Sequence, residues 1–382
     1  MKEIHVKEGP FIKTDNKAIN IMKTLLISLI PIILFSVYKN GFIPFQKGKT
    51  DILGLIYPLI FIVLGASTSG LTEYLYSTLM QKEKNKSLKA NLNKFSIFPG
   101  LFLSLLLPIN TPIWLLILAA LIATLLGKMI WGGLGYNKLN PALVGYLFVI
   151  IIMFLGLKDI SYLNNYELES IANGMTPLEN ILSLKSIGDY DTLVKPYGSL
   201  WDFFFGTVPG GLGTTSVILS ILAYLYLTYK KALKWRIPLI YIGTVFIVTY
   251  FIGFLNDVGL WYPTIQILSG SLIFCAVFMA TDPVTSPVTP TGQVVYGMGL
   301  GILTVIFRFV FPFEYGIIIS ILIMNALVPL IDRVGAQARF DFKKVSILML
   351  VEMVVILALS LYIAEIKNDE VPTDEKSLVL QE

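Results

Sequence analysis

The sequence predicts an all-α, polytopic membrane protein. Hydrophobic residues make up 55% of its 382 residues and charged residues only 14%, and the mean hydropathy is +0.75. A soluble domain carries about a quarter charged residues. The apolar residues fall into blocks of roughly 17 to 25, the length of helix that crosses a hydrocarbon core of ~30 Å. These observations exclude an ordinary soluble globular fold.

Eleven apolar segments are predicted as candidate spans, and 53–80 is long enough to include an interfacial turn. We expect no cleavable signal peptide, because the first 18 residues are charged and polar. The segments are 19–38, 53–80, 95–108, 112–128, 140–157, 214–229, 237–255, 261–280, 294–311, 316–332 and 345–365.

Basic residues beside these segments predict the orientation. The stretches 81–94, 229–236 and 332–344 are rich in Lys and Arg and fall on one side, together with the N-terminus, if each segment crosses once. By the positive-inside rule that side is cytoplasmic. The loop 158–200 is then extracytoplasmic. Its acidic residues agree with that placement: Asp159, Glu167, Glu169, Glu179, Asp189 and Asp191.

Two parts of the chain share a pattern of apolar runs that stop at Pro and Gly. "FSIFPGLFLSLLLPINTPIW" and "GKMIWGGLGYNKLNPALVGYLF" lie in the first half, and "GSLIFCAVFMATDPVTSPVTPTG", "YGMGLGILTVIFR" and "IMNALVPLID" in the second. Paired interruptions of this kind point to two related halves with broken helices and a site between them. The alternative is that Gly and Pro serve close helix packing.

A glycine-rich stretch is a further candidate. In "FGTVPGGLGTTSVILS", Gly213, Thr214 and Thr215 precede an apolar helix. Free backbone N–H groups at a helix start suit a phosphate or a polar ring edge. A plain helix cap explains the residues equally well.

Thr176 stands in the polar loop, within "SIANGMTPLENIL". Thr176, Pro177 and Glu179 have the spacing of a helix capping box. The other interpretation is that the Thr176 hydroxyl carries a covalent group.

Five segments together resemble the family of the D subunit of Rnf electron-transport complexes and the B subunit of the sodium-pumping NADH:quinone reductase. The segments are "GKMIWGGLGYNKLNPALVGY", "NGMTPL", "PGGLGTTS", "MATDPVTSPVTPTGQVVYG" and "ILIMNALVPLID". They occur in the family order and cover most of residues 19–332.

The resemblance implies ten helices in two related halves, to which 345–365 adds an eleventh span. It implies FMN bound covalently to Thr176 through a phosphoester, attached by a flavin transferase that reaches an exposed loop. The attachment motif falls on Asn173, Gly174, Met175, Thr176, Pro177 and Leu178. It also implies a second, non-covalent flavin such as riboflavin. We expect that flavin near Gly213, Thr214, Thr215, Thr281, Asp282 and Thr285.

Charged residues inside apolar segments are functional candidates because ionisable groups are costly at membrane depth. We predict Glu73 and Asp282 as either an ion path, a flavin contact or a buried polar pair that fixes packing. Arg308 and Glu352 are expected to snorkel to an interface. Cys275 is expected to be a packed small residue, and with His5 as the sole histidine no haem, zinc or other metal site is predicted.

The predicted function is an electron-carrying subunit of an ion-translocating oxidoreductase of Rnf type, linked to ferredoxin and NAD and coupled to Na⁺ or H⁺. Partners would be other membrane, flavin and iron–sulfur subunits in a prokaryotic plasma membrane, with no nucleic acid. Two rivals stay open: a small-solute channel or transporter of urea-transporter-like architecture, and a flavin conduit to extracytoplasmic flavoproteins. The predicted regions are a cytoplasmic N-terminus (1–18), two membrane halves (19–157 and 206–332), the extracytoplasmic loop (158–205), a cytoplasmic loop with the extra span (333–366) and an acidic tail (367–382).

Overall fold

The computed structural model describes residues 18–80, 95–155, 175–184, 187–311 and 314–337, with a few positions between 351 and 363. Regular structure in these ranges is helical, as the sequence predicts. Some predicted features lie outside the described residues. They are the N-terminus with His5, the basic stretch 81–94, Asn173 and Gly174, Glu352, most of the eleventh span and the acidic tail.

The helices follow the predicted apolar segments closely. They are α1 (Ala18–Val37), α2 (Ile52–Met80), α3 (Phe98–Leu106), α4 (Ile113–Thr124), α5 (Pro141–Phe154), α6 (Pro177–Ser183), α7 (Tyr190–Leu193), α8 (Leu200–Phe205), α9 (Val217–Tyr229), α10 (Arg236–Leu255), α11 (Trp261–Leu268), α12 (Leu272–Phe274), α13 (Pro290–Phe309) and α14 (Gly316–Gln337). Three π-helical turns extend α1, α4 and α12: Tyr38–Phe42, Leu125–Met129 and Cys275–Met279. The short helix Ile43–Gln46 follows the first turn, and a 3₁₀ turn, Lys195–Tyr197, follows α7.

Within the described residues, five helical segments are long and apolar enough to cross a membrane: Asn20–Gln46, Ile52–Leu79, Arg236–Leu255, Pro290–Phe309 and Gly316–Ala336. Helices α11 and α12 meet at a bend of 63° and make a sixth crossing when taken as one broken span. Helices α4, α5 and α9 are apolar but shorter. The chain is therefore a multi-pass membrane protein. The segment 53–80, although long enough to include an interfacial turn, has none, because α2 runs unbroken for 29 residues through Pro58.

One sequence of elements occurs twice. An apolar helix ends in a π turn, a loop of tight turns follows, and the next helix begins with a polar N-cap and a proline. Asn140 caps α5 through the Ala142 N–H, and Thr289 caps α13 through the Gly292 N–H. The Asn140 side chain also donates to the Met279 carbonyl at 3.3 Å. This bond connects the start of α5 to the end of the π turn Cys275–Met279.

Small residues bring α2, α3 and α4 close together. A Cβ atom on Gly100 of α3 would lie 1.8 Å from the carbonyl oxygen of Gly65 on α2. The Thr124 hydroxyl of α4 donates to Ser69 Oγ on α2 at 3.0 Å. Close backbone approach and interhelical hydroxyl bonds are how helices associate in lipid. They fix the position of the short helix α3.

Glu73 of α2 forms an ion pair with Lys128, in the π turn after α4. Lys128 Nζ lies 2.5 Å from Glu73 Oε2, and the two side chains are only 2% and 5% exposed. Of the three alternatives given for Glu73, this contact matches the buried polar pair. Cys275, expected to be packed, is fully buried in the last π turn.

Candidate functional site

Thr176 begins α6 and forms the predicted capping box. The Glu179 N–H donates to Thr176 Oγ1 at 3.2 Å, and the Thr176 N–H donates to Glu179 Oε2 at 2.6 Å. Pro177 occupies the first helical position. The bond to Oγ1 uses a lone pair of that oxygen, so it does not consume the hydroxyl proton.

The expectation that Thr176 lies on an exposed loop is wrong. Its side chain is 3% exposed, because the apolar residues of α6 pack against the membrane helices. Leu178 contacts the break between α11 and α12, where a Cβ on Gly270 would lie 2.9 Å from the Leu178 side chain. The Tyr197 hydroxyl donates to the Met175 carbonyl at 2.8 Å and holds the segment before the cap.

Thr176 lines a pocket that we term the first pocket. Tyr146 and Tyr315, whose ring centroids are 6.0 Å apart, lie on one side. The remaining wall comes mainly from residues 176–178, 208–211, 214–215, 268, 270–271, 314 and 317–318. The site therefore combines one cap, one loop, one helix break and one helix start.

The glycine-rich loop does not offer the row of free N–H groups that the sequence suggests. The Leu212 N–H donates to the Leu107 carbonyl at 3.0 Å, and the Gly213 N–H to the Leu105 carbonyl at 2.7 Å. The Thr214 N–H is bonded within the loop. These three N–H groups satisfy the end of α3 and the loop itself, so they do not form a phosphate cradle.

Helix α1 holds the same loop from the other side. The Ser36 hydroxyl donates to the Leu212 carbonyl at 2.7 Å, and Lys39, 5% exposed, donates to the Val208 carbonyl. Thr214 and Thr215 consequently stay in the wall of the first pocket, beside Thr176. The sequence analysis predicted that Thr214 and Thr215 bind the second, non-covalent flavin and not the flavin attached to Thr176.

A second pocket contains Thr281 and Asp282. Asp282 accepts a hydrogen bond from the Thr285 hydroxyl at 2.9 Å. Asn137, Asn140 and Lys128 contribute polar groups to the wall. Its apolar wall includes the aromatic residues Phe95, Phe98, Phe102 and Phe278. A flat ring with polar edges would suit this combination.

The predicted second set of site residues is therefore divided. Thr214 and Thr215 line the first pocket, Thr281 and Asp282 the second, and Thr285 a separate opening beside Asn325. Gly213 packs against Leu105 and Ile32 and lines none of these three pockets.

Asn137 and Asn140 are wall residues that sequence reasoning missed. The signal was present in "GYNKLNP", where two amide side chains stand three residues apart before a helix start.

Helix α3 contributes to both pockets. Phe98 and Phe102 line the second pocket, and Leu106, at the end of the helix, lines the first. Phe102 and Leu106 are about one helical turn apart, a rise of about 6 Å.

The chain matches a known family over most of its length. The model of the NQR2, RnfD, RnfE family matches residues 5–341. The chain belongs to this family. The predicted resemblance is thus confirmed.

Two curated relatives in the NQR2, RnfD, RnfE family are D subunits. The D subunit of the proton-translocating ferredoxin:NAD⁺ oxidoreductase complex of Clostridium ljungdahlii is 32% identical over 343 residues, covering 89% of this chain and 96% of the relative. The D subunit of the Na⁺-translocating ferredoxin:NAD⁺ oxidoreductase complex of Acetobacterium woodii is 29% identical over 344 residues, covering 89% and 96%.

A third relative is the B subunit of the Na⁺-translocating NADH-quinone reductase of Chromohalobacter salexigens. It is 30% identical over 298 residues, which cover 75% of this chain and 67% of the relative. The relatives of this family member are thus subunits of ion-translocating oxidoreductase complexes.

The first pocket of this family member also contains Glu314, which sequence reasoning missed. Burial raises the pKa of the Glu314 carboxyl to about 8, and the neighbouring Glu179 carboxylate adds to the increase. Glu314 is thus predominantly neutral at pH 7, so it does not repel an anionic group in the pocket.

The raised pKa of Glu314 predicts a pH-dependent stability. Between about pH 4.5 and 8 the folded protein holds a proton that the unfolded chain has released, so the free energy of unfolding should fall as the pH rises. The slope for one proton is at most ~1.4 kcal/mol per pH unit. Equilibrium unfolding in mixed micelles from pH 5 to 8 should show this slope in the wild type and lose it in Glu314→Gln. The exposed variant Asp191→Asn should retain it, and an unchanged slope in Glu314→Gln would contradict the assignment.

The residues of both pockets fit the flavins that the resemblance implies. The first pocket has a hydroxyl in its wall for a phosphoester, two tyrosine rings and a carboxyl group that is neutral at pH 7. The second has aromatic faces with amide and hydroxyl groups around them. When bound, flavins supply one- and two-electron chemistry. The chain itself would supply binding, orientation and shielding from water.

Proposed function

We propose that this chain is the flavin-carrying membrane subunit of an ion-translocating oxidoreductase complex of Rnf type. The observation that carries the proposal is the placement of Thr176. Its hydroxyl belongs to a capping box in the wall of the first pocket, which threonines of the glycine-rich loop also line. A helix cap needs no such pocket, whereas a covalently held cofactor does.

In this proposal FMN is attached to Thr176 through a phosphoester. The cap bond from the Glu179 N–H uses a lone pair of Oγ1, so it persists after the hydroxyl proton is replaced by phosphorus. Pro177 and Leu178 fix the turn that follows. Because Thr176 is buried in the packed protein, we infer that the flavin transferase acts before this segment packs against the helix break.

A second flavin, of riboflavin type, would occupy the second pocket without a covalent bond. Asn137, Asn140, Thr281 and Asp282 would hold its polar edge, and the phenylalanine side chains would cover its ring. The placement of both pockets along α3 supports electron transfer between the two sites, because about one helical turn separates Phe102 in the second pocket from Leu106 in the first.

The proposed function extends to topology, partners and the ion path. The recurring π turn, loop and Pro-started helix support two related halves. The basic stretches support a location of Thr176 on the extracytoplasmic side of a prokaryotic plasma membrane. Other membrane, flavin and iron–sulfur subunits would bring electrons from ferredoxin or NADH and couple their flow to Na⁺ or H⁺. Asp282 is the remaining candidate for the ion path, and its carboxyl group interacts electrostatically with the half-buried Lys234.

Covalent attachment is tested on protein produced together with a flavin transferase. After denaturing electrophoresis, the wild-type band should fluoresce and Thr176→Val should not, because valine has no hydroxyl to esterify. Thr176→Ser should retain some fluorescence. Thr192→Val is the matched control, since Thr192 also forms a local helix cap but lines neither pocket.

A dark wild-type band would contradict the proposal and favour the channel or transporter. A fluorescent band together with gene neighbours that encode only flavoproteins would favour the electron conduit.

A further inference from the structure

Arg308 of α13 lies at the break in the bent span α11–α12. The sequence suggested a side chain that reaches the membrane interface, but Arg308 is 4% exposed. Its Nη1 atom donates to the Gln266 backbone carbonyl, and to Gln266 Oε1 at 3.1 Å. Its Nη2 atom donates to the Ser269 carbonyl at 3.4 Å. Arg308 stays inside because the break leaves the last carbonyl groups of α11 without helical N–H donors. The guanidinium group supplies the missing donors.

These contacts do not neutralise Arg308. Every acceptor that Arg308 contacts among the described residues is an uncharged carbonyl or amide oxygen. The ion pairs among the described residues are Glu73–Lys128 and Asp191–Lys195, and neither includes Arg308. Two buried donors of the same group, Arg308 Nε and Gln266 Nε2, have no hydrogen-bond partner. A full positive charge therefore stays in a poorly solvated region.

The charge lies directly behind the wall of the first pocket. Ser269, whose carbonyl Arg308 binds, is flanked in the chain by Leu268 and Gly270, and both line that pocket together with Ser271. The field of a buried charge is screened less by salt than that of a surface charge. It therefore acts on whatever occupies the pocket.

We propose that Arg308 is a positioning residue that raises the midpoint potential of the flavin on Thr176. The inference rests on the proposed function. Reduction places negative charge on a flavin, and a fixed positive charge behind the pocket wall stabilises that charge. Arg308 does so without touching the flavin, while its bonds to the end of α11 hold the wall in place.

Three substitutions separate this electrostatic role from a purely structural cap. Arg308→Gln removes the charge. Gln266→Glu keeps the shape of residue 266 and the bond to Arg308 but adds a carboxylate that cancels the charge. Arg308→Lys keeps the charge and loses the fork of donors. A structural cap alone would make Arg308→Lys the disruptive change and Gln266→Glu nearly silent.

The experiment is a redox titration of the covalent flavin in purified protein, with attachment first verified by band fluorescence. We expect the midpoint potential to fall in Arg308→Gln and in Gln266→Glu, to stay near the wild-type value in Arg308→Lys, and to keep these differences at high salt. Lys230→Gln, which removes an exposed cation, is the control and should leave the potential unchanged.

Gln266→Glu provides the test if Arg308→Gln fails to fold. Wild-type potentials in the folded, flavin-loaded Gln266→Glu variant would overturn the inference and leave the proposed function intact. A wild-type protein without flavin on Thr176 would instead overturn the proposed function and this inference with it.

Discussion

Replacing Lys128 with methionine lowers the free energy of unfolding by about 3–5 kcal/mol, because it leaves the Glu73 carboxylate buried without its cation. The pair is 2.5 Å apart and almost fully buried. The double variant Glu73→Leu/Lys128→Met should recover most of the loss, since a buried ion pair can be replaced by apolar side chains at little cost. Equilibrium unfolding in mixed micelles measures all three differences.

Lys195→Met is the matched control for this prediction. Lys195 pairs with Asp191 at 2.7 Å, but the two side chains are 61% and 67% exposed. Exposed pairs contribute about 0–1 kcal/mol, so this variant should be close to the wild type. If Lys128→Met were equally harmless, the Glu73–Lys128 pair would not hold α2 against the end of α4.

Gly100→Ala is expected to push α2 and α3 apart. The new Cβ atom would lie 1.8 Å from the Gly65 carbonyl oxygen and 2.6 Å from Ser69 Oγ, and backbone cannot yield as a flexible side chain can. Overpacking of this kind costs about 1–3 kcal/mol, and sometimes more. Because α3 joins the two pockets, the variant should also retain less non-covalent flavin after purification. Unfolding midpoints and flavin content measure the two effects.

The control is Gly243→Ala in α10, where a Cβ would meet no atom within 4 Å. Alanine replaces glycine there in an open helical position, so the variant should be as stable as the wild type or more stable by about 0.4–1 kcal/mol. Equal losses in both variants would show that glycine is needed for something other than the close approach of α2 and α3.

Local features of this fold were predictable from the sequence. The apolar runs place the helices within a few residues of their observed bounds, because a helix in lipid must satisfy its own backbone. The capping box at Thr176 was equally predictable, since Thr, Pro and Glu act on one another within four residues. The break at Gly270 was not predicted, because 261–280 was taken as one apolar segment.

Long-range features were not predictable. Glu73 and Lys128 are 55 residues apart in the chain, and Arg308 reaches partners 39 and 42 residues away. Nothing in the local sequence pairs them. The prediction of free N–H groups in the glycine-rich loop was wrong for the same reason. The carbonyl groups that accept hydrogen bonds from two of these N–H groups belong to the distant end of α3. Burial of Thr176 likewise depends on where α6 packs.

Peptide mass spectrometry of wild-type protein produced with a flavin transferase decides whether Thr176 carries a flavin. We expect the peptide containing Thr176 to carry the added mass of FMN in phosphoester linkage, and fragmentation to place that mass on Thr176. An unmodified Thr176 peptide, from protein made beside an active transferase, would contradict the proposed function and leave the threonine as a helix cap.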